Sequence, residues 1–416
     1  MYPCMKNPLP RARRIRTSLF GDAFLLLLAG SFIQRRMSSM QRSVRAETSF
    51  ARCIKAHLSA VLLVVLAGCS RDQPVKTVWE IDDLSKGHYI NIHSIVAVGD
   101  ENFVLTGGNT PQDLTAWAAR IDGGGRLLWE YLDGPKEAWT DFIQSNNNSF
   151  FGAVQLDGGR LLLCGVKVVG KKPTAFLVRL DGQGKRIDER QLVSREEEFP
   201  GSVKCIRWGN GIALLTGLSK SPRATGSLTK LDVNGNVLWE RRGDPYSSSD
   251  AMQSSGGRLL LLTTDDSGMA LVKLDEEGNV LARQQMPVGA LGFVKSVGAA
   301  SDDILVSNTG EEGSNLLRFD RDLRSLGNAR SLDNIFVKSA FEFTDRSMVI
   351  FGNRRTYNPT ATMWRIDKSG RIASYFFNAL YLSRWGVDAA PTSNPNEFIT
   401  TRHARGTLVL ARVAIR

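Results

Sequence analysis

The segment Lys230-Leu231-Asp232-Val233-Asn234-Gly235-Asn236-Val237-Leu238-Trp239-Glu240 sets the pattern for most of this chain. An apolar run reaches an Asp, a Gly follows three places later, and a second apolar run ends in Trp-Glu. An Asp opens a tight turn by accepting hydrogen bonds from nearby backbone N–H groups, and Gly supplies the positive φ such turns need. The segment therefore reads as two strands joined by a hairpin turn. Its opening also looks like the start of an EF-hand calcium loop, but no Glu stands at the closing position.

Working outward, the same basic-apolar-Asp signature recurs as Arg120-Ile121-Asp122, Arg179-Leu180-Asp181, Lys273-Leu274-Asp275, Arg318-Phe319-Asp320 and Arg365-Ile366-Asp367. Gly125, Gly184, Gly278 and Gly370 complete the turn, whereas the Asp320 copy lacks the Gly. Successive Asp residues are 59, 51, 43, 45 and 47 apart, and a further 47 reaches Ala414 in a worn seventh copy, Arg412-Val413-Ala414. Ahead of each copy a turn feeds an apolar run, as in Gly158-Gly159-Arg160 before Leu161 to Leu163. Short β-forming runs separated by turn residues, with no sustained 3.6-residue period, read as strands. Four strands in 40 to 50 residues is the spacing of a β-propeller blade.

Val78-Trp79-Glu80 copies the fourth-strand signature but has no third strand before it, while Leu408 to Ile415 supplies a third strand with no fourth after it. Pairing the two would close the ring and leave no open edge there. The expectation is an all-β, seven-bladed propeller of four-stranded blades over residues 76–416, its last blade closed by the N-terminal strand. The pattern resembles the bacterial quinoprotein-like and WD40-like propellers, whose blades carry Leu-Asp-x-x-Gly-x-x-x-Trp. It is also similar to the propeller lipoproteins of the outer-membrane β-barrel assembly machinery, which implies a lipid anchor and a partner bound through loops on one face. The cofactor constellation of quinoprotein dehydrogenases cannot be placed on these residues, and no cofactor is expected.

Leu66-Ala67-Gly68-Cys69 follows basic residues (Arg42, Arg45, Arg52, Lys55) and a short apolar run, and resembles the lipobox of bacterial lipoproteins. The resemblance implies a signal peptide over 40–68, lipid on Cys69 and a tether over 69–75. Residues 1–39 then read as an extended or mis-assigned start. Ser70 after the cysteine favours the periplasmic side of the outer membrane, the inner membrane being the lesser alternative.

This division reshapes the charge argument. Of 53 basic and 42 acidic residues, 11 and 2 lie in residues 1–68, which leaves 42 and 40 and a net charge of +2. A nucleic-acid partner is set aside, since the excess belongs mainly to the leader. Cys164 and Cys205 remain beyond Cys69 in an oxidising compartment, where they either pair or pack as two buried thiols.

Chemistry is sparse. His88, His93 and His403 have no zinc-site spacing, and neither a Gly-x-Ser-x-Gly elbow nor a phosphate loop is present. No catalytic or metal site is expected. The loops joining second to third strands are more informative: Lys167, Lys171 and Lys172; Lys220 and Arg223; Arg354 and Arg355; Arg402 and Arg405. These nine cations form a basic arc against Asp113 alone, with acids confined to blades four and five. Trp139 and Phe142 on the long link after blade one, and Trp385 on the last link, are either interface anchors or fold back on their blades. His93, Lys204, Lys295 and Lys338 fall early in innermost strands, facing the channel mouth if one shared register holds.

The leading expectation is a monomeric, non-catalytic scaffold that binds a protein or an anionic envelope polymer. The alternatives are an immunity-type lipoprotein that neutralises an exported toxin, and a propeller enzyme, either quinoprotein-like or glycan-active.

Overall fold

Asp122 shows how the repeat folds: its Oδ1 accepts the backbone N–H groups of Gly124 (3.0 Å) and Arg126 (2.8 Å). Asp181, Asp232, Asp320 and Asp367 hold the N–H groups two and four places on in the same way. Gly125, Gly184, Gly235, Gly278 and Gly370 take φ between 77° and 88° at the turn. In the copy without glycine, Leu323 adopts φ 66°, and its side chain is buried in the core between blades four and five.

The structure is a computed structural model that describes residues 75–415, apart from 82–83, 85–89, 100, 110–114, 134–147, 170–171, 193–199, 219–225, 247, 254–256, 266–267, 288, 298–302, 355–360, 377–388, 395 and 405–406. It is a seven-bladed β-propeller. Blade one runs from the innermost strand Ile90–Ala97 through Asn102–Asn109 and Ala116–Asp122 to the outer strand Leu127–Asp133. Blade two (Asn148–Gln155, Leu161–Val169, Lys172–Leu180, Arg186–Gln191) and blade three (Pro200–Trp208, Gly211–Leu218, Gly226–Leu231, Val237–Arg242) repeat that order, as does blade four. In blade seven the order is Val75–Ile81, Thr407–Ile415, Glu397–Ala404, Ala389–Pro391, so the N-terminal strand closes the ring. Its register sets Val75 against Ile415 and Trp79 against Arg412. The closing strand contains the expected Val78-Trp79-Glu80.

Blade five departs from the repeat. Its innermost strand is split, and after Ala290–Phe293 the chain crosses over so that Lys295–Val297 pairs in parallel with Ile335–Phe343 of blade six. Blade six thereby becomes a five-stranded sheet.

Seven apolar clusters fill the seven spaces between neighbouring blades. Phe398, fully buried between blades six and seven, lies 5.1 Å from Phe341 and 5.6 Å from Phe351, centroid to centroid. In three copies the motif's basic residue latches blade to blade by donating to a carbonyl of the next turn, whereas Arg179 is held by Asp188 of its own blade. Arg120 reaches the Gly182 carbonyl (3.2 Å), Lys273 that of Arg321 (2.6 Å), and Arg412 that of Gly123 (2.7 Å). Lys230 instead stays in its own blade, donating to the Trp208 carbonyl at 2.7 Å with its ammonium 3.7 Å over the Trp208 ring.

Outer strands carry a second regularity. Val78, Leu128, Ile187, Leu238, Leu281 and Leu326 each stand unpaired at a β-bulge just past the position of the turn. These aliphatic side chains are 39% to 58% exposed. A bulge at this point interrupts the free ladder and makes a poor template for edge pairing.

Candidate functional site

The antiparallel order sorts the connections onto two ends. First-to-second and third-to-fourth strand turns lie at one end, the turn face. Second-to-third loops and blade-to-blade links lie at the other, the loop face. Strand boundaries put Lys172 at the start of Lys172–Leu180, Arg354 at the end of Met348–Arg354 and Arg402 near the end of Glu397–Ala404, all at the loop end. Lys171, Lys220, Arg223, Arg355 and Arg405 lie outside the described residues, as do Trp139, Phe142, Trp385 and Cys69.

Lys167 differs from the other members of the arc. It lies inside the strand Leu161–Val169, paired with Glu189, 4.0 Å from Asp133 and 5.0 Å above the Phe176 ring. Arg186 completes a neutral group of four, 3.3 Å from Glu189 and 3.8 Å from Asp133. Burial raises the Asp133 carboxyl above its usual range, with Glu189 adding to the rise while Lys167 opposes it. Burial and the adjacent Asp133 charge push the Tyr131 phenol up to about 12. Lys167 is thus a joint between blades one and two, with its charge already matched. Asn148 and Ser149 are buried in the first strand of blade two. The Asn148 Oδ1 accepts the Val168 N–H at 2.9 Å.

Cys164 of blade two and Cys205 of blade three form a disulfide with Cα atoms 6.2 Å apart, and both are buried. This resolves the two readings in favour of pairing, and it ties the second strand of one blade to the innermost strand of the next.

The innermost strands also correct the shared register expected for four residues. His93 and Lys338 do correspond, each unpaired at a bulge toward the loop end. Lys204 lies one place further on, opposite Leu215, where blade one has Ser94. Lys295 lies beyond the split in blade five, opposite Phe341. Bulges and the strand switch account for the difference: in blade one the extra residue separates buried Ile92 from buried Ile95 by two places, so the alternation shifts there. His93 stacks on Phe151 of blade two with centroids 4.5 Å apart, and burial lowers its pKa to about 4.

Inside the ring lies a cavity of about 490 Å³, lined by the turn-side halves of innermost strands. Its cations are Lys204, Arg207 and Lys295, and its walls include Ile95, Phe151 and Met252. Lys204 is paired with Asp250 of blade four, whose other oxygen accepts the Phe293 N–H at 3.2 Å. Lys295 was singled out from the sequence as a channel residue, whereas Arg207 escaped that reading. The available signal was position: Arg207 is the residue of its innermost strand opposite Ile212, where Ala97 and Gln155 stand in blades one and two. Among the described residues, no group of three or more His, Cys, Asp and Glu is arranged to hold a metal.

This geometry defines the class of protein as a seven-bladed β-propeller, and solved structures agree. Virginiamycin B lyase from Staphylococcus aureus superimposes with a TM-score of 0.54 at 11% identity, covering 82% of this chain and all of that one. A streptogramin B lyase gives 0.54 at 11% identity over 81% and 98% of the two chains. Puromycin hydrolase gives 0.51 at 12% identity over 75% of this chain and 50% of that one. At such identities the likeness concerns the fold alone. No protein family matches the sequence, and no curated protein does.

Proposed function

We propose that this chain is a lipid-anchored, non-catalytic scaffold on the periplasmic side of the bacterial outer membrane, docking an acidic protein through its loop face. The observation that carries this reading is charge segregation: with Lys167 internally matched, Lys172, Arg354 and Arg402 stand at loop ends of blades two, six and seven, and Lys171, Lys220, Arg223, Arg355 and Arg405 belong by sequence to the loops between second and third strands. The domain that carries them is nearly neutral. Segregated charge of this kind speeds encounter with an oppositely charged surface and orients it.

Two further points support the reading. The Cys164–Cys205 disulfide suits an exported protein. Cys69 lies six residues before Val75, and Val75 enters the ring at the turn end opposite Ile415. The tether proposed over 69–75 would thus join the lipid to the strand that closes the ring.

Two experiments test this. Cys69→Ala should abolish lipid labelling and release the protein from membranes, and unchanged retention would refute the anchor. Replacing Lys171, Lys172, Arg354 and Arg355 by Glu should strongly weaken binding of a crosslinked partner at low salt and have much less effect at high salt. A partner that proves to be a polyanionic polymer, or turnover of a substrate by the purified protein alone, would replace this reading.

A further inference from the structure

We propose that the turn-side half of the central channel is a binding site for a small organic anion with an apolar body, its charged group held between Arg207 and Lys295. A cavity of about 490 Å³ is ample for such a molecule. Its described lining contains three cations and no acid. Lys204 is taken up by Asp250, which leaves the other two. The partner of Arg207 is Asp157, 3.6 Å away on the first turn of blade two with its side chain 75% exposed, a solvated pair of the kind that contributes little. Lys295 is exposed, with its ammonium 5.9 Å from the centroid of the Phe341 ring.

The strand switch in blade five is what delivers Lys295. By leaving its own sheet and pairing with Phe341, the chain carries this lysine into the lining of the cavity. Arg207 and Lys295 line the same space, and a ligand anion seated between them would relieve the repulsion of the two like charges. Ile95, Phe151, Ile206 and Met252 around them would favour an apolar body over bare phosphate or sulfate. The site is separate from the loop face, so it stands or falls independently of the scaffold reading.

The test is calorimetric titration of the full chain with naphthalene-2-sulfonate and naphthalene-2-carboxylate, with 2-naphthol as the uncharged counterpart. One saturable site is expected for at least one anion, with 2-naphthol at least tenfold weaker. Arg207→Gln with Lys295→Gln should weaken the anion at least tenfold, whereas Lys338→Gln, at the loop-end bulge of blade six, should leave it unchanged. Should the double variant not fold, Lys295→Gln alone changes only an exposed side chain and should still weaken binding severalfold, and 0.5 M salt should do the same to the unmodified protein. Absence of saturable binding by both anions, equal binding of 2-naphthol, or indifference to Lys295→Gln would overturn the proposal.

Discussion

The indole of Trp129 in blade one lies so closely over Gly184 in blade two that a β-carbon on Gly184 would meet its Cδ2 at 2.5 Å. The same relation holds between Trp239 and Gly278, and between Trp79 and Gly125 across the ring closure. The Trp and Gly of the repeat are therefore partners between blades as well as markers of one hairpin.

Two glycines with nearly the same backbone separate the contributions. Gly184 and Gly235 have φ of 82° and 77°, yet a β-carbon on Gly235 would find its nearest neighbour, Leu162 Cδ1, at 3.7 Å. Gly235→Ala should cost about 1 to 2 kcal/mol for the left-handed backbone alone. Gly184→Ala should cost about 1 to 3 kcal/mol more through overpacking against the indole. Denaturant titration measures both. In a Trp129→Ala background the extra cost at Gly184 should disappear, and a persisting difference would mean that the indole is not its cause.

Blade count, turn chemistry and closure were legible in the sequence because Asp122 and Gly125 perform a local turn task that their residue types do well, and because Trp129, although it packs on the next blade, recurs at a fixed distance from that turn. The basic residue of the motif was visible as a repeat but not as a latch, since the carbonyl it meets belongs to a blade dozens of residues away, as with Arg120 and Gly182. Bulges escaped because one extra residue in an innermost strand leaves composition unchanged while shifting His93 relative to Lys204. Lys167 looked like a loop cation because its partners Glu189 and Asp133 come from two other strands. Of the proposed docking residues, the backbone places Lys172, Arg354 and Arg402 at the loop end, while Trp139, Phe142 and Trp385 fall outside the described residues.

Closure by Val75–Ile81 predicts that deleting residues 72–83 leaves Thr407–Ile415 as an unpaired outer edge. The deletion also removes Trp79, whose Nε1 donates to the Gly123 carbonyl at 2.9 Å and which packs with Ile81 against the core between blades seven and one. The truncated chain should melt at least several degrees lower and associate through the bared strand. A truncated chain that melts with the intact one and stays monomeric in sedimentation would contradict the closure.

His93 predicts a particular pH dependence. Its folded pKa is about 4 against 6.5 for the free side chain, because burial beside Phe151 disfavours the imidazolium. Between those values the unfolded chain binds a proton that the folded chain does not. The stabilisation is therefore fully present above pH 6.5 and is lost as pH falls towards 4, by about 3 kcal/mol at most. His93→Phe should keep the stacking and flatten this limb. A second limb lies lower. Asp188, hydrogen-bonded by Arg179, and Asp367, hydrogen-bonded by Ser369 and by the Arg371 backbone, have pKa values lowered from 3.8. Their contribution is present above that value and is lost as pH falls through the lowered ones. Unfolding free energy measured from pH 3 to 8 should show both limbs in the unmodified protein and only the acidic one in His93→Phe.

The Cys164–Cys205 bond closes a loop of 41 residues between blades two and three. By restricting the unfolded chain, a bond over such a span should contribute about 2 to 4 kcal/mol. Val166, Leu177 and Ile212 pack in the same cluster as both sulfurs, so the reduced thiols would sit in an apolar surrounding that tolerates them. Reduction should thus lower the melting temperature without abolishing the fold, and the Cys164→Ala, Cys205→Ala double variant should be less stable than the oxidised protein and insensitive to reductant. The single variants discriminate further: each leaves one buried thiol and a small void, and should fall below the double variant only if the remaining thiol finds a new partner. Non-reducing electrophoresis would reveal that partner as a crosslinked dimer. Equal melting of oxidised and reduced protein would show that the two cysteines do not pair.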